Sequence, residues 1–531
     1  MSAPERLVAQ VRAALAEAGL PAVEPTFERP RNREHGDWST SVALRLAKPT
    51  GRPPLSIAEQ LVAQLDSVEG IETVEIAGPG FINFRLSTDA FAAIVRRAVT
   101  EGERYGRSEV ETGRRANVEF VSANPTGPLH LGHGRWVVIG DAIASLLEAV
   151  GWEVVREYYF NDAGTQMEKF GASVQAALDG REPPENGYTG AYVATLAETL
   201  RTRGNEDIAE DAYRLMLEQI DATLRRFGVV FDVYFGERTL HTSGRLDEAI
   251  ARLRAEGHVY TADEATWLRT TDFGDDKDRV LLRSTGQPTY FAADCAYLVD
   301  KLERGFDRCI YVLGADHHGY VQRLHALERA LGGDGSHVEV LIGQLVIFLR
   351  DGEPVRMSKR TGALVTLDEL ADDIGVEAAR YALLRQSTDT ALEIDLAEVV
   401  RQERDNPVYY VQYSSARIAG IIRMAHEREV DVGTLSDAEL KLLVHPTEQE
   451  LIRRVGQWPE TVVYAARERA PHRVARYAES LAEAFHRFYT ECTVLGEDET
   501  LTRARYWLVE AVRQTLVNAL GLLGVDAPER M

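Results

Sequence analysis

Residues 118–147 constrain the fold of this chain more than any other stretch. The run at 118–121 is rich in residues that favour a buried β-strand. Asn124-Pro125 and Gly127-Pro128 predict a turn, and the apolar residues that recur between 137 and 147 predict a helix. A strand that leads through a tight turn into a helix is suited to phosphate binding, because the first N–H groups of the helix have no partner within it.

Two histidines stand where this helix should begin. His130 and His133 are three residues apart, so both imidazoles can share one face of a helix. Gly132 lies between them and would allow a ligand to approach the backbone. Such a pair can stabilise negative charge on a departing phosphate group. The spacing alone leaves two alternatives open, half of a metal site or an ordinary pair of surface histidines.

The order of strand and helix patterns predicts an α/β fold with a doubly wound parallel sheet. Strand-like runs at 154–160 and 309–313 alternate with helical patterns and end in turn residues. Residues 1–105 look like a separate small α/β module, in which Asp37 or Ser39 could cap a helix. Residues 106–370 would hold the sheet with a helix-rich insertion around 165–245, and the pattern from Leu367 onward is helical.

Composition limits the possible functions. The chain has 60 Lys and Arg against 83 Asp and Glu, a net charge of −23, which argues against a general polyanion binder. The three cysteines are scattered, so they predict neither a disulfide framework nor a zinc motif. No apolar run is long enough to span a membrane, and the N-terminus does not look like a signal peptide. We therefore expect a cytoplasmic protein.

Residues 123–133, Ala-Asn-Pro-Thr-Gly-Pro-Leu-His-Leu-Gly-His, resemble the HIGH signature of class I aminoacyl-tRNA synthetases, in the wording typical of arginyl-tRNA synthetases. The resemblance extends along nearly the whole chain. It implies that residues 1–105 contact tRNA, that residues 106–370 form a Rossmann-type catalytic domain, and that residues 371–531 form a helical stem and DALR anticodon-binding domain. It also implies arginine, ATP with Mg²⁺ and tRNA(Arg) as substrates, no protein-bound metal, and a monomer.

A second segment resembles the other signature of this class. Met357-Ser358-Lys359 is similar to the KMSKS loop, although Arg356 and Arg360 replace the first Lys and the last Ser. A mobile basic loop of this kind can close over a triphosphate. The resemblance implies His130, His133 and Lys359 as catalytic residues. It implies contacts to ATP from Pro125, Gly127, Gly132, Met357 and Ser358.

Tyr290 and Asp294 are candidates for binding the substrate side chain. They are four residues apart, so on a helix they face the same way, and a carboxylate beside an aromatic ring suits a guanidinium group. The residues alone favour another interpretation, in which Asp294 caps a helix and Tyr290 packs in the core. The resemblance favours the guanidinium site. It adds Glu119, Ser122, Asn124 and Gln322 as further arginine-binding residues.

One alternative concerns a metal site, and two others concern the function of the chain. Asp316-His317-His318 invites a metal interpretation, but no further ligands are spaced nearby, so no metal site is predicted. The chain could be another class I synthetase, for cysteine or glutamate, although it lacks zinc-type cysteines and carries acidic pocket candidates. It could also be a non-catalytic tRNA-binding relative, which the retained His130, His133 and Lys359 argue against.

Overall fold

The structure is a computed structural model that describes residues 3–30, 32–65, 68–162, 164–203, 207–350, 352–355, 365–401, 403 and 406–531. The helices are α1 Ala3–Glu17, α2 Val42–Thr50, α3 Pro54–Val62, α4 Thr88–Glu101, α5 Leu131–Ala149, α6 Thr165–Leu178, α7 Ala191–Arg203, α8 Ile208–Arg226, α9 Arg238–Thr242, α10 Arg245–Ala255, α11 Tyr290–Glu303, α12 His318–Ala330, α13 Leu367–Ile374, α14 Val376–Leu384, α15 Leu396–Val399, α16 Pro407–Glu427, α17 Asp437–Leu440, α18 Pro446–Arg467, α19 His472–Glu491 and α20 Glu499–Leu522.

Within the described residues, the strands form four separate sheets. They are β1 Phe27–Glu28, β2 Trp38–Thr40, β3 Ile71–Ala77, β4 Phe81–Leu86, β5 Arg115–Phe120, β6 Glu153–Phe160, β7 Val233–Gly236, β8 Val259–Ala262, β9 Ala265–Leu268, β10 Arg279–Leu282, β11 Arg308–Gly314, β12 Val338–Gly343, β13 Val346–Arg350, β14 Glu353–Pro354 and β15 Leu392–Asp395.

The chain divides into two compact units, each assembled from separate segments of sequence. Unit 1 consists of residues 1–105, 417–457 and 483–515. Unit 2 consists of residues 106–416, 458–482 and 516–531. No helix of the described chain has both the length and the apolar character that a membrane crossing requires.

Unit 1 contains an antiparallel sheet with strand order β1-β2-β4-β3. Asp37 is buried beside this sheet, where it accepts the Leu86 N–H at 2.7 Å and pairs with Arg453 of α18. The expectation that Asp37 or Ser39 caps the next helix was wrong, because Ser41 occupies the position before α2 and Ser39 lies within β2. Asp37 instead ties the N-terminal module to a helix more than 400 residues later.

Unit 2 contains the predicted doubly wound sheet. All five strands are parallel, in the order β12-β11-β5-β6-β7, so the sheet winds outward in both directions from the boundary between β5 and β11. Ligands bind at such a switch point, beyond the carboxyl ends of the strands. Helix α5 packs closely on β5 because Gly140 has no side chain, and a Cβ there would lie 2.1 Å from the Phe120 ring. The predicted fold class is confirmed.

Three features of unit 2 differ from the sequence expectation. The stretch around 165–245 includes β7, which is a strand of the main sheet, so α6–α8 connect β6 to β7. A small antiparallel sheet, β10-β9-β8, follows it. The region after Leu367 is not helical throughout, because β15 lies within it and pairs in parallel with β13. Short strands of this kind are decided by long-range pairing, which local patterns do not show.

Candidate active site

The loop between β5 and α5 occupies the switch point of the parallel sheet and holds two residues in the left-handed backbone region. Val121 has φ 67° and Ser122 has φ 43°. This conformation is costly for a β-branched residue, and such strain concentrates at functional sites. Here it directs the Ser122 hydroxyl between two partners, since Oγ accepts the Tyr159 N–H and donates to Glu119 Oε1, both at 3.2 Å.

His130 and His133 form a reciprocal cap at the start of α5. Nδ1 of His130 accepts the Gly132 N–H at 3.1 Å, and Nδ1 of His133 accepts the His130 N–H at 3.2 Å. A backbone N–H can only donate, so neither Nδ1 carries a proton. Each neutral ring therefore has its hydrogen on Nε2. The rings lie 3.8 Å apart, which presents two N–H donors together at the positive end of a helix.

Gly132 is required by the position of the His130 ring. A Cβ at Gly132 would lie 2.9 Å from Cε1 and 3.0 Å from Nδ1 of His130. Any side chain would therefore push the ring out of its cap. Gly127 is not required in the same way, because a Cβ there would lie 3.5 Å from the Tyr192 hydroxyl, an ordinary contact distance. Pro125, two residues earlier, is buried.

The histidine segment is paired with the chain that follows the predicted KMSKS-like loop. Leu131 donates its N–H to the Val365 carbonyl at 3.1 Å, and Leu367 donates to the Leu129 carbonyl at 2.8 Å. Met357, Ser358 and Lys359 themselves lie outside the described residues. The backbone that continues from this loop is thus hydrogen-bonded directly beside His130.

Arg135 connects α5 to the segments that precede β13 and β15. Its guanidinium is fully buried and donates to the carbonyls of Gln344, Ser387 and Thr390 at 2.8–2.9 Å. Gln344 precedes β13, and Ser387 and Thr390 precede β15. Burial lowers the pKa of Arg135 to about 10, which still leaves it charged at neutral pH.

Asp294 is a half-buried residue of α11. Its Oδ2 atom is buried and makes no hydrogen bond with the residues that the structure describes. Burial raises the pKa of this carboxyl to about 7, with Glu237 and Glu119 adding to the rise and Arg323 opposing it. The alternative in which Asp294 caps a helix was wrong, because Thr289 caps α11 by accepting the Ala292 N–H. A carboxylate in this state is suited to a cationic ligand.

Tyr290 begins α11, one turn before Asp294, and its side chain is 68% exposed. The alternative in which it packs in the core was therefore wrong. An exposed ring at this place is available to stack on a planar guanidinium. Gln322 is exposed on α12. The next residue, Arg323, is the one that acts electrostatically on Asp294.

Glu119 is already paired within the protein. Its Oε2 lies 2.6 Å from Nζ of Lys301, a lysine whose side chain is fully buried. Asn124 is also engaged, since its amide donates to Gln166 at 2.8 Å and accepts the Asn161 N–H at 3.0 Å. Four residues of this region were not among the predicted site residues: Lys301, Glu237, Tyr159 and Arg323. Only the seven-residue spacing of Asp294 and Lys301 could have indicated that these two share one face of a helix.

The Asp316-His317-His318 turn does not assemble a metal centre among the described residues. Asp316 and His317 are 3.5 Å apart, but no third ligand joins them there. Glu328, Asp334 and His337 are the one described group close enough to share an ion, and their polar atoms are engaged in local hydrogen bonds.

Three family models match the chain. The model for the arginyl tRNA synthetase N terminal domain covers residues 5–86, and the model for the catalytic domain of class I (R) tRNA synthetases covers residues 94–187 and 189–437. The model for the DALR anticodon binding domain covers residues 411–531.

Relatives match over the full length. An arginine–tRNA ligase of Frankia alni is 52% identical over 547 residues, with 99% of both chains covered. A solved structure of a protein assigned as an arginyl-tRNA synthetase of Campylobacter jejuni is 32% identical, with a TM-score of 0.78, and covers 84% of this chain and 100% of its own.

The structure of Thermus thermophilus arginyl-tRNA synthetase is 24% identical with a TM-score of 0.78, over 99% of this chain and 100% of its own, and supports the fold. The catalytic-domain model covers more than half of the chain, and the Frankia alni relative is similar along its whole length. The chain therefore belongs to the class I arginyl-tRNA synthetase family.

Proposed function

We propose that the chain is an arginine–tRNA ligase that works in two steps. In the first, the carboxylate of arginine attacks the α-phosphate of ATP, which releases pyrophosphate and forms arginyl-adenylate. In the second, a ribose hydroxyl of the terminal adenosine of tRNA(Arg) attacks the arginyl carbonyl, and AMP leaves. Neither step needs a covalent nucleophile from the protein, so catalysis rests on positioning and on stabilising charge.

The phosphate side of the reaction belongs to the two signature segments. His130 and His133 present Nε2–H donors at a helix N-terminus, where negative charge grows on the phosphates. Lys359 would neutralise the departing pyrophosphate, and ATP would enter as its Mg²⁺ complex. Gly132 keeps the His130 ring in place. The proposed contacts to ATP also include Pro125, Gly127, Met357 and Ser358.

The observation that carries the choice of substrate is the buried Oδ2 atom of Asp294, which has no hydrogen-bond partner among the described residues. A guanidinium supplies the hydrogen bonds and the positive charge that this oxygen lacks. Tyr290 would stack on the same group. Glu119, Ser122, Asn124 and Gln322 complete the proposed arginine site, and Glu119 acts there with Lys301 attached.

The N-terminal and C-terminal regions would bind the tRNA. We assign tRNA contacts to residues 1–105, catalysis to 106–370 and anticodon recognition to the helical region 371–531, in agreement with the family models at the two ends. The strongly acidic chain must use local basic surfaces for this purpose, so tRNA affinity should fall steeply with salt. We also propose that the protein is monomeric and cytoplasmic.

The proposal is tested by ATP–pyrophosphate exchange with each of the standard amino acids, with and without total tRNA. Exchange that arginine alone supports would establish the substrate. Exchange with another amino acid would overturn the proposed pocket and keep the class of enzyme. If no amino acid supports exchange under either condition, a non-catalytic tRNA-binding role becomes the better explanation.

A further inference from the structure

Three carboxylates surround the Tyr159 side chain in the interior of unit 2. The Tyr159 hydroxyl donates to Glu237 at 2.6 Å, and Asp294 and Glu119 act on the same hydroxyl through their charges. Three uncompensated negative charges in one buried place would be prohibitively costly. The protein therefore needs cations of its own in this region.

Two cations lie among these carboxylates. Arg323 acts on Asp294, and Lys301 lies 2.6 Å from Glu119. Both Glu119 oxygens have partners, whereas Oδ2 of Asp294 has no hydrogen-bond partner among the described residues.

A fourth carboxylate adjoins this set. Glu157 acts electrostatically with Lys301 and is paired with Arg304 at 2.6 Å. Four negative charges against three positive ones leave a single negative charge.

Lys301 is held by more than its ion pair. Its Nζ lies 4.4 Å from the centre of the Tyr297 ring and 4.0 Å from the centre of the Tyr311 ring, so two aromatic faces stabilise the ammonium. Lys301 is two turns after Asp294 on α11, which places both residues on the same face. The ammonium is therefore fixed at the inner wall of the proposed arginine site.

We propose that Lys301 is a positioning and specificity residue for the cationic substrate, which acts by neutralising and orienting Glu119 so that the pocket carries one net negative charge. The proposal rests on the arginine site described above. It goes further by assigning the selection of a singly charged side chain to a lysine that need not touch the substrate. The competing explanation is that Lys301 and Glu119 are a structural ion pair only.

A double-mutant cycle separates these explanations. We expect K301M to raise the KM for arginine about tenfold or more while kcat and the KM for ATP stay within about threefold. E119Q should raise the same KM. The double variant E119Q/K301M should be no worse than the poorer single variant, because Lys301 acts through Glu119. K301R, which keeps the charge, should lie nearer to the wild type than K301M.

An ion pair of β10 supplies the matched control. Arg279 binds Asp275 through two hydrogen bonds, at 2.7 and 2.8 Å, and the Asp275 side chain is buried. We expect R279M to lower the melting temperature and to leave the KM for arginine unchanged. If R279M raises that KM as much as K301M does, or if the K301M and E119Q effects multiply, the proposal is overturned.

The design remains decisive if K301M does not fold. The double variant replaces the pair by neutral groups of similar size, which proteins tolerate far better than one unpaired charge. Its KM for arginine should match that of E119Q alone within about threefold, and a further rise of about tenfold would contradict the proposal. Failure of the wild-type chain to activate arginine would instead refute the proposed function, so the two failures are distinguishable.

Discussion

The imidazole rings of His130 and His133 lie 3.8 Å apart, and each accepts a backbone N–H through Nδ1. This arrangement fixes both the orientation and the tautomer of the two rings before any ligand arrives. The polar surface of the pair consists of Nε2–H donors, which suit growing negative charge on a phosphate. The HIGH-type signature is thus also a helix cap, and the chemical role that we propose for it depends on the same hydrogen bonds as the cap.

Replacing either histidine should slow chemistry without weakening arginine binding. For H130A and for H133A we expect arginine-dependent ATP–pyrophosphate exchange to fall about 100-fold or more, with the KM for arginine within about threefold. Single-turnover formation of the adenylate measures this step. H426A, which alters an exposed histidine of α16, is the control. Equal losses in rate and in arginine affinity would argue against a role in the transition state.

Gly132→Ala should lower the activity much more than it lowers the stability of the fold. The new Cβ would lie 2.9 Å from the His130 ring, so the ring must leave its cap and the rate should fall about tenfold or more. Alanine is the better helix former, which offsets part of the strain in the folded state. G521A is the control, because that helical glycine has open space around it. The rate of arginine-dependent ATP–pyrophosphate exchange and the melting temperature are measured for both variants. An unchanged exchange rate for G132A would show that the position of the His130 ring does not affect catalysis.

Asp294→Asn should weaken arginine binding and relax discrimination against uncharged analogues. Removing one partner of a buried charged pair costs about 2–5 kcal/mol, so we expect the KM for arginine to rise about 30-fold or more. Exchange assays with arginine and citrulline give the ratio of kcat/KM values. D300N, on the same helix, keeps the Asp294 carboxylate and should leave this ratio unchanged. A ratio equal to that of the wild type for D294N would remove Asp294 from the pocket.

Arginine affinity should increase with pH near neutrality. The pKa of Asp294 is raised to about 7 in the free protein, and a guanidinium requires the ionised carboxylate. The dissociation constant for arginine should therefore fall about tenfold between about pH 6 and about pH 8, with proton release on binding below neutrality. Calorimetry in buffers of different ionisation enthalpy detects that release.

The Asp294 carboxyl should lower the stability of the free protein as the pH increases, whereas it raises the affinity for arginine. The unfolded carboxyl loses its proton near its ordinary pKa, whereas the folded one keeps it up to about pH 7. The stabilisation from protonated Asp294 is therefore complete below the ordinary carboxyl pKa. It decreases as the pH rises from that value to about 7, and above this pH it stays constant. D294N should abolish both pH effects, and a pH-independent affinity in the wild type would contradict the assignment.

Arg135→Met should destabilise the protein strongly. The change leaves the carbonyls of Gln344, Ser387 and Thr390 without their donor, and each buried unpaired carbonyl costs about 1–3 kcal/mol. We expect the unfolding free energy to fall by about 3 kcal/mol or more. Denaturant unfolding measures this loss. R467M, at an exposed arginine of α18, should change it by less than about 0.5 kcal/mol.

The sequence alone determined several local elements and indicated the family. The apolar run at 118–121 predicted β5, the apolar residues at 137–147 predicted α5, and the ordered residues 123–133 indicated the family. These features can be read from sequence because they depend on neighbours within one turn or one strand.

The tertiary structure alone decided the electrostatics of the pocket. Glu119 is paired with Lys301, a residue 182 positions later, and no described residue donates a hydrogen bond to Oδ2 of Asp294. It also decided that β7 joins the main sheet. Burial and charge at a site are sums over groups that the chain brings together from distant positions, so no local pattern contains them.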